Sequence, residues 1–355
     1  MSGVAEFARP EIRALRPYQP AAAADGVRLN ANEAPWRQQW DDTPRGLNRY
    51  PEPWPQKLAE ALARLYEVDA SQVAVTRGSD DAIDLLLRVF CRAGVDRIVV
   101  CPPTFGMYRV AAQVQGAAVI SIPLLAERDF ALDSAAVAAA AGDGAKLIFL
   151  CSPNNPTGNS IPQRTVAELC AAVSGTALVV VDEAYIEFSE QASATRLLSE
   201  YPNLAVLRTL SKAHALAGAR VGALLAAAEV VDLVRGVMPP YALPSLSIDA
   251  ALGLADADYQ ACVENRIRQT RRERARLSVA LAEMPGVVRV WPSDGNFLLV
   301  RFVDPAGVLR HARSRGILLR DFSAQAELAN CVRISIGDPG QNDALVAALE
   351  EYGNG

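Results

Sequence analysis

The segment RTLSKAHALAGARVG (208–222) contains a residue type that the chain otherwise almost avoids. Only three of the 35 basic residues are lysines, namely Lys57, Lys146 and Lys212, which leaves 32 arginines in a chain of 355 residues. A guanidinium stays protonated and cannot attack a carbonyl, whereas an amine that loses its proton can. A lysine in this segment therefore indicates a site that needs a nucleophilic amine.

The sequence neighbours of Lys212 support this interpretation. Thr209 and Ser211 offer hydroxyl groups and Arg220 offers a guanidinium, a combination that suits a phosphate. Crowding by Arg220 together with partial burial would lower the pKa of the Lys212 amine toward the free base. The other two lysines have no such neighbours.

A second polar cluster, VTRGSDDAI (75–83), follows an apolar run and opens a helical pattern. Gly78 predicts a tight turn, and the free N–H groups at the start of the helix would accept a phosphate, with Ser79 adding a hydroxyl. The alternative is a plain helix N-cap by Ser79. The carboxylates of Asp80 and Asp81 weigh against an anion, so this segment alone favours the N-cap.

Two further clusters also follow apolar runs. CSPNNPTG (151–158) is rich in turn-forming residues and is weak evidence by itself. LVVVDEAY (178–185) places Asp182 at the end of a strongly apolar strand, where a carboxylate is costly to bury unless a cation meets it. A protonated ring nitrogen of a ligand would meet that need; the alternative is a structural cap for the next segment.

The elements that position these clusters alternate between short strands and helices. Such alternation predicts a mainly parallel seven-stranded sheet with helices on both faces, and ligands bind at the carboxyl ends of the strands in such sheets. The predicted strands are 73–75, 97–101, 118–122, 146–151, 177–182, 204–209 and 222–227, and intervening helices are predicted at 55–68, 80–90 and 162–173, with a further one in the alanine-rich stretch 135–141.

The pattern changes after residue 245. A long helical region at about 246–284 precedes four short strand patterns, VVRVW, NFLLVRF, GILLR and CVRISIG. The length of the chain favours two domains. We therefore predict an N-terminal arm at 1–45 that completes the small domain, a large ligand-binding domain at 46–245 and a small α+β domain at 246–355.

Composition and charge exclude several classes of protein. The net charge of −5 argues against nucleic acid, and the apolar runs are too short for a membrane span. Two histidines and six cysteines without a CxxC pair argue against a metal site, and the cysteines are expected to be buried and reduced.

The basic stretch 265–277 is interpreted as a solvated helix face. A dinucleotide-binding dehydrogenase is excluded because no GxGxxG follows the first strand. A cytoplasmic location is expected.

Ten segments, in order along the chain, match a known pattern. With them the chain resembles the pyridoxal-phosphate enzymes of the aspartate-aminotransferase fold, and most closely the histidinol-phosphate aminotransferases. The segments are RPYQP, RLNANEAP, LNRYPEP, TRGSDDAIDLLLRVFC, CPPTFGMY, CSPNNPTG, VDEAYIEF, RTLSKAHALAGARVG, GILLRDF and VRISIG.

The resemblance implies roles at the cofactor ring. Lys212 would form a Schiff base with pyridoxal 5′-phosphate and shuttle a proton. Asp182 would hold the pyridine nitrogen protonated, which makes the ring an electron sink. Asn155 and Tyr185 would bind its phenolic oxygen. Phe105 would cover the ring where relatives carry tyrosine, so a hydroxyl is lost at that position.

The resemblance also implies a site for the phosphate of the cofactor and a shared active site. Tyr50 would reach the phosphate of the neighbouring subunit, which implies a homodimer. His214 replaces the usual phenylalanine and is interpreted as a core or edge residue. The groups implied to hold the phosphate within one chain are Ser79, the backbone of Asp80, Ser211 and Arg220, with Thr209 as an additional contact.

For the substrate, the resemblance implies an anion site in the C-terminal domain. Arg320 and Arg333 would bind the phosphate of histidinol phosphate and, in the other half-reaction, a carboxylate of glutamate. The alternative for either arginine is a surface ion pair, which for Arg320 would involve its neighbour Asp321. Tyr18 and Asn32 would line the substrate side.

The implied activity is ping-pong transamination between L-histidinol phosphate and 2-oxoglutarate, giving imidazole acetol phosphate and glutamate, in histidine biosynthesis. An aromatic amino-acid aminotransferase and a phospho-threonine decarboxylase on the same fold are alternatives, because their cofactor motifs would look alike. A cofactor-binding protein without catalysis is a further alternative. It is disfavoured because Lys212, Asp182 and Arg220 occur together and no DNA-binding segment is attached.

Overall fold

The structure is a computed structural model that describes residues 3–16, 18 and 27–354. Residues 17, 19 and 20 of RPYQP lie outside this set. Within it, the chain forms one seven-stranded and one four-stranded sheet. The strands are β1 Val73–Thr76, β2 Arg97–Val100, β3 Ala118–Ser121, β4 Ala145–Cys151, β5 Leu178–Asp182, β6 Leu204–Thr209, β7 Gly222–Ala226, β8 Val287–Val290, β9 Phe297–Phe302, β10 Arg320–Asp321 and β11 Cys331–Ser335.

Eleven α-helices connect and flank these strands in the described part of the chain. The helices are α1 Pro10–Arg13, α2 Gln56–Tyr66, α3 Ser79–Phe90, α4 Met107–Gln115, α5 Ser134–Ala141, α6 Gln163–Ala172, α7 Ala228–Val237, α8 Ser245–Leu252, α9 Ala257–Ala282, α10 Pro305–Ser314 and α11 Pro339–Asn354. The predicted helices at 55–68, 80–90, 135–141 and 162–173 are confirmed.

The first sheet has the strand order β1-β7-β6-β5-β4-β2-β3. Strands β2 to β6 pair in parallel, and only β7 runs in the opposite direction to its neighbours. The predicted mainly parallel seven-stranded sheet is therefore confirmed. Because β7 is reversed, it begins at the edge where β1 and β6 end: Gly222 lies opposite both Thr76 and Thr209.

Helices cover both faces of this sheet. In β5, Val179 and Val181 belong to the core that α2, α5 and α6 cover, whereas Leu178 and Val180 belong to the core under α3, α4 and α7. All five residues of β5 are buried. Burial of a valine or leucine side chain stabilises a fold by about 1.5–3 kcal/mol, so a strand buried on both faces is apolar almost throughout.

The second sheet is antiparallel, in the order β10-β11-β9-β8, and α9, α10 and α11 pack on one of its faces. One prediction here was wrong: of GILLR (316–320), only Arg320 lies in a strand, since β10 is two residues long. The long helical region predicted at 246–284 is confirmed. It consists of α8, a short 3₁₀-helix at Gly253–Ala255, and α9, which starts where the Asp256 side chain accepts the Tyr259 N–H.

The predicted domain boundaries, 1–45, 46–245 and 246–355, fall outside both sheets and stay predictions. The cysteine prediction needs one correction: five of the six are buried, but Cys262 on α9 is exposed. Among the described helices, none is long and apolar enough to cross a membrane.

The basic stretch 265–277 lies on α9, and four of its arginines, Arg266, Arg268, Arg272 and Arg276, are exposed, which agrees with a solvated face; Arg271 and Arg274 are the exceptions. The half-buried Arg271 donates to the carbonyls of Glu187 and Phe188. Arg274 donates to the carbonyls of Phe188 and Gly295. These arginines therefore anchor the helix to the segment that follows Asp182, because buried carbonyls need donors.

Candidate active site

A cavity of about 140 Å³ lies where β1, β4, β5 and β6 end. A cavity of about 150 Å³ accommodates a benzene ring, so this one has room for a single aromatic ring. All the predicted cofactor contacts except Tyr50 line it. The lining residues are Ser79, Asp80, Phe105, Cys151, Asn155, Asp182, Ala184, Tyr185, Thr209, Ser211, Lys212, Ala217 and Arg220.

A larger cavity, of about 400 Å³, lies between Trp54 and Met238. Its lining is mostly apolar, and the guanidinium it contains, that of Arg235, already donates to the carbonyl of Val73 at 2.9 Å. A cavity without convergent reactive groups is a weaker candidate than a smaller one that has them.

Lys212 lies in the loop between β6 and β7. Its Nζ is 5.6 Å from the centre of the Tyr185 ring. Partial desolvation is the largest influence on the amine and lowers its pKa; the positive charges of Arg333 and Arg220 lower it further. Solvent still reaches the side chain from the cavity. A lowered pKa favours the neutral amine that a nucleophile needs.

Asp182 ends β5 and is buried. Its Oδ2 accepts the hydroxyl of Tyr108 at 2.8 Å and its Oδ1 accepts the Ala184 N–H at 3.2 Å. Burial raises the pKa of Asp182 to about 6, and these two hydrogen bonds oppose the rise. Among the described residues no side chain forms a salt bridge with it. A cation placed in the cavity would therefore stabilise the ionised carboxylate.

Two glycines and an arginine form one end of the cavity. Gly78 has a φ of +84°, and a Cβ there would lie 2.7 Å from Nη2 of Arg220. A Cβ on Gly222 would lie 2.7 Å from the Gly78 backbone. Both positions therefore require glycine. Arg220 donates to Ser211 Oγ and to Asp80 Oδ2, each at 3.3 Å.

Ser79 does not cap α3. The N-cap is Gly78, which has no side chain to do so, and Ser79 is the first helical residue. The alternative interpretation of Ser79 as a plain N-cap was therefore wrong, and the first N–H groups of α3 stay available for an anion. Thr209 lines the cavity together with Ser211, and its hydroxyl lies 3.0 Å from Ser211 Oγ.

Asn155 links the cavity to the second sheet. Its Nδ2 donates to the hydroxyl of the buried Tyr185 at 3.4 Å, and its Oδ1 accepts from Nη1 of Arg333. Arg333 lies on β11, so this contact places a C-terminal guanidinium at the cavity. Burial raises the pKa of Tyr185 well above its ordinary value, which keeps the hydroxyl protonated at neutral pH.

Arg320 of β10 and Arg333 of β11 are directly paired across these two antiparallel strands. The Phe322 ring is 5.8 Å from the Arg320 guanidinium and 5.6 Å from that of Arg333. In the described part of the chain, neither forms a salt bridge with a carboxylate. The Arg320–Asp321 ion pair considered as an alternative is absent there, since Asp321 accepts from Ser323 instead. Two adjacent guanidiniums without a carboxylate partner can receive an anion.

The structure distinguishes Phe105 and His214, the two positions at which the resemblance implies a different residue type. Phe105 lines the cavity, with its ring edge-on to Tyr108 at 5.6 Å. His214 is outside the lining and buried, parallel to the Tyr259 ring at 6.3 Å. Burial lowers the pKa of His214. Its interpretation as a core residue is confirmed.

The N-terminal residues Tyr18, Asn32 and Tyr50 are not among those that line the cavity. Tyr18 is 71% exposed and Tyr50 is 50% exposed. The Tyr50 ring stacks on Tyr241 at 4.6 Å, and its backbone N–H donates to the buried carboxylate of Glu33. The backbone that carries Tyr50 is thus fixed while much of its side chain faces outward.

Sequence reasoning missed Tyr108, although CPPTFGMY was among the matching segments. Tyr108 lies on the buried face of α4, and its hydroxyl binds Asp182. The sequence did offer a clue. CPPTFGMY leads away from the sheet edge and places a tyrosine where burial is expected, and a buried phenol needs a hydrogen-bond partner.

Comparisons with known proteins agree with this geometry. Residues 27–349 match the family model for aminotransferases of class I and II. The chain belongs to this family. Histidinol-phosphate aminotransferases from Xylella fastidiosa and Xanthomonas campestris pv. campestris (strain ATCC 33913) are each 45% identical to it over 354 residues. The matches cover 98% of this chain and 96% and 98% of those relatives.

Solved structures show the same fold. A histidinol-phosphate aminotransferase from Sinorhizobium meliloti in complex with pyridoxal-5′-phosphate has a TM-score of 0.76 and 28% identity, over 86% of this chain and 83% of that one. An L-threonine-O-3-phosphate decarboxylase from Porphyromonas gingivalis has a TM-score of 0.73 and 25% identity, over 86% and 91%. The aminotransferase relatives are the more similar in sequence.

Proposed function

We propose that this aminotransferase uses pyridoxal 5′-phosphate to transfer the amino group between L-histidinol phosphate and 2-oxoglutarate in histidine biosynthesis. One observation carries the proposal: a single cavity the size of an aromatic ring places the amine of Lys212 and the buried carboxylate of Asp182 beside a cradle for an anion. The names of the relatives that match over nearly the whole chain supply the substrate.

The residues of the cavity fit the cofactor. Asp182 forms no salt bridge among the described residues, and a protonated pyridine nitrogen would supply a cation in direct contact with it. Gly78, Ser79, the backbone N–H of Asp80, Ser211 and Arg220 would hold the phosphate, with Thr209 behind them. When bound, the cofactor supplies an electron sink for the carbanion formed at the substrate Cα.

The chain supplies attachment and proton transfer. Lys212 Nζ would hold the cofactor covalently and then, once released, would take the proton from the substrate Cα and return it. Asn155 and Tyr185 would bind the phenolic oxygen, since their amide and hydroxyl already meet at the cavity wall. Phe105 would cover one face of the ring, and it packs without a hydroxyl.

Substrate titration of the protein in its yellow, cofactor-bound form tests this proposal. L-histidinol phosphate should change the visible absorbance of the bound cofactor at a much lower concentration than L-phenylalanine does. Preference for phenylalanine would instead assign the protein to the aromatic aminotransferases, and release of CO₂ from phospho-threonine would assign it to the decarboxylases. Absence of a visible band after addition of pyridoxal phosphate would contradict the proposal altogether.

Arg333 and Arg320 would bind the anionic end of both substrates, and Tyr18 and Asn32 would line the side where the substrate enters. A pair of guanidiniums accepts either a phosphate or a carboxylate, which matches a ping-pong reaction with two unlike partners. The Asn155 carbonyl that binds Arg333 would hold the guanidinium next to the cofactor.

Arg333→Ala is expected to raise the KM for both histidinol phosphate and glutamate by about 10- to 100-fold, the scale of a lost charge-assisted hydrogen bond. Steady-state kinetics in both directions measures this. Arg289→Ala is the matched control: Arg289 also lies over an aromatic ring, that of Trp291 at 4.9 Å, but it pairs with Asp129, whereas Arg333 binds the cavity residue Asn155. An Arg333 variant that behaves like the control would refute the anion site.

We also propose a homodimer in which Tyr50 binds the phosphate of the cofactor in the neighbouring subunit. Its half-exposed ring and its fixed backbone support this role. The protein should sediment at twice its chain mass of 37.9 kDa.

Mixing the inactive variants Tyr50→Ala and Lys212→Ala provides a test of the shared site. Mixed dimers should recover part of the activity, because one of their two sites contains both native residues. No recovery after exchange of subunits would contradict a shared site. A cytoplasmic location is proposed together with this biosynthetic role.

A further inference from the structure

Tyr108 contacts the cofactor-binding apparatus from the side away from the cavity. It is 0% exposed and lies at the start of α4, and its ring stacks on Phe149 of β4 at 4.9 Å with an angle of 10° between the planes. The stacking fixes the ring, so its hydroxyl can point in only one direction. That direction is toward Asp182 Oδ2, at 2.8 Å.

The hydroxyl of Tyr108 donates to Asp182, and the buried thiol of Cys151 is its other polar neighbour. Burial raises the pKa of Tyr108 far above its ordinary value, so it remains protonated and acts as a donor throughout the working pH range. A phenol has one hydrogen to donate, and the carboxylate receives it. The other carboxylate oxygen has a longer hydrogen bond, from the Ala184 N–H at 3.2 Å.

We infer that Tyr108 is a positioning residue that keeps Asp182 ionised and oriented toward the ring nitrogen of the cofactor. The inference rests on the proposed function and adds a residue to it. Without the phenol, the buried carboxylate loses the shorter of its two hydrogen bonds and protonates more readily. A protonated Asp182 can no longer hold a proton on the pyridine nitrogen.

Tyr108→Phe tests this inference, since it keeps the volume and the stacking on Phe149 and removes only the hydroxyl. The cofactor-free protein should bind pyridoxal phosphate about 10- to 100-fold more weakly, the scale of a lost hydrogen bond to a charged group. The acidic limb of the pH profile of kcat should move to higher pH. Tyr66→Phe is the matched control: Tyr66 is also buried, but its hydroxyl has no hydrogen-bond partner among the described residues.

A second ligand separates positioning from packing. An analogue of pyridoxal phosphate with C–H in place of the ring nitrogen has nothing for Asp182 to protonate. If Tyr108 acts through Asp182, Tyr108→Phe and the unsubstituted protein should bind this analogue equally well. A loss of affinity of the same size for both ligands would show that Tyr108 merely packs, and would overturn the inference.

The remaining outcomes are also decisive. If the unsubstituted protein binds neither ligand, the proposed function fails and this role fails with it; if it binds both and Tyr108→Phe binds both as tightly, only the inference fails. Should Tyr108→Phe not fold, 3-fluorotyrosine at position 108 keeps the ring and makes a stronger donor. Tighter binding of pyridoxal phosphate is then expected, and unchanged binding would overturn the inference.

Discussion

Lys212→Ala is expected to abolish transamination, lowering kcat by at least about 10⁴-fold, while the protein stays folded. Removal of a residue that bonds covalently and also transfers the proton costs losses of this order. The substitution removes a solvent-reached side chain whose amine makes no salt bridge among the described residues, so thermal unfolding should change little. Single-turnover assays with histidinol phosphate and circular dichroism provide the two measurements.

Two further lysine variants make the result specific. Lys212→Arg keeps the positive charge but cannot lose its proton, so it should be as inactive as alanine. Lys57→Ala removes one of the two other lysines, on the exposed side of α2, and should leave activity unchanged. Retention of turnover by Lys212→Ala would refute the assignment of Lys212 as the attachment point.

Asp182→Asn should lower kcat by about 10²- to 10³-fold, because a preorganised charge aimed at the reacting centre contributes on that scale. The neutral amide cannot keep the ring nitrogen protonated. Tyr108 would still have an oxygen to donate to, so the site should keep its shape. Steady-state kinetics of the cofactor-loaded variant measures the loss, and activity within a few-fold of the unsubstituted enzyme would contradict the role of Asp182.

The same substitution should affect stability in the opposite sense when the cofactor is absent. The pKa of Asp182 is about 6 in the folded protein against a reference value of 3.8. The folded state therefore prefers the protonated acid, and this stabilisation is complete below pH 3.8 and lost as the pH rises through 6. That difference corresponds to roughly 3 kcal/mol. Above pH 6, cofactor-free Asp182→Asn should exceed the unsubstituted protein in unfolding free energy by up to that amount.

Glu183→Gln is the appropriate comparison. Glu183 is the adjacent buried carboxylate, but it pairs with Arg208 at 3.4 Å and lines no part of the cavity. Arg208 keeps its pair with Glu187 at 2.7 Å, but Glu183→Gln removes the carboxylate that accepts the Ser193 hydroxyl and the Ala194 N–H inside the fold. Glu183→Gln should therefore lower the unfolding free energy yet retain cofactor binding. If Asp182→Asn and Glu183→Gln changed cofactor binding and unfolding free energy equally, the effect of Asp182→Asn would come from its burial and not from its position in the cavity.

Much of the architecture could be predicted because buried parallel strands leave a simple pattern. All seven strand predictions lie within one or two residues of the observed strands. The runs that form β4, β5, β6 and β7 must be apolar because these strands are buried on both faces, whereas the edge strand β3 is only partly buried. The pattern failed at GILLR. The edge strand β10 has only two residues, both exposed, which is too short to leave a pattern of alternating burial in the sequence.

Only part of the candidate site could be predicted from the sequence, and that part consists of residue types that are costly to bury. Lys212 and Asp182 stood out because an amine and a carboxylate at the ends of apolar runs need a reason to be there. Tyr108 did not stand out, because a tyrosine in a helix is indistinguishable from an ordinary core residue until its contact with Asp182 is known. The contact between Asn155 and Arg333 joins residues far apart in sequence, and no local pattern encodes that distance.

The reversal of β7 bears on how this enzyme could change its preference for substrates. The loop from residue 210 to 221 leaves the sheet and returns to it at the same edge. The amine of Lys212 and the guanidinium of Arg220 therefore lie in one short loop. The guanidiniums of Arg320 and Arg333 belong to the other sheet. On the roles proposed for these residues, substitutions in the second sheet should alter which acid is bound while the Lys212 chemistry is unchanged. Laboratory evolution toward new amino donors should begin there.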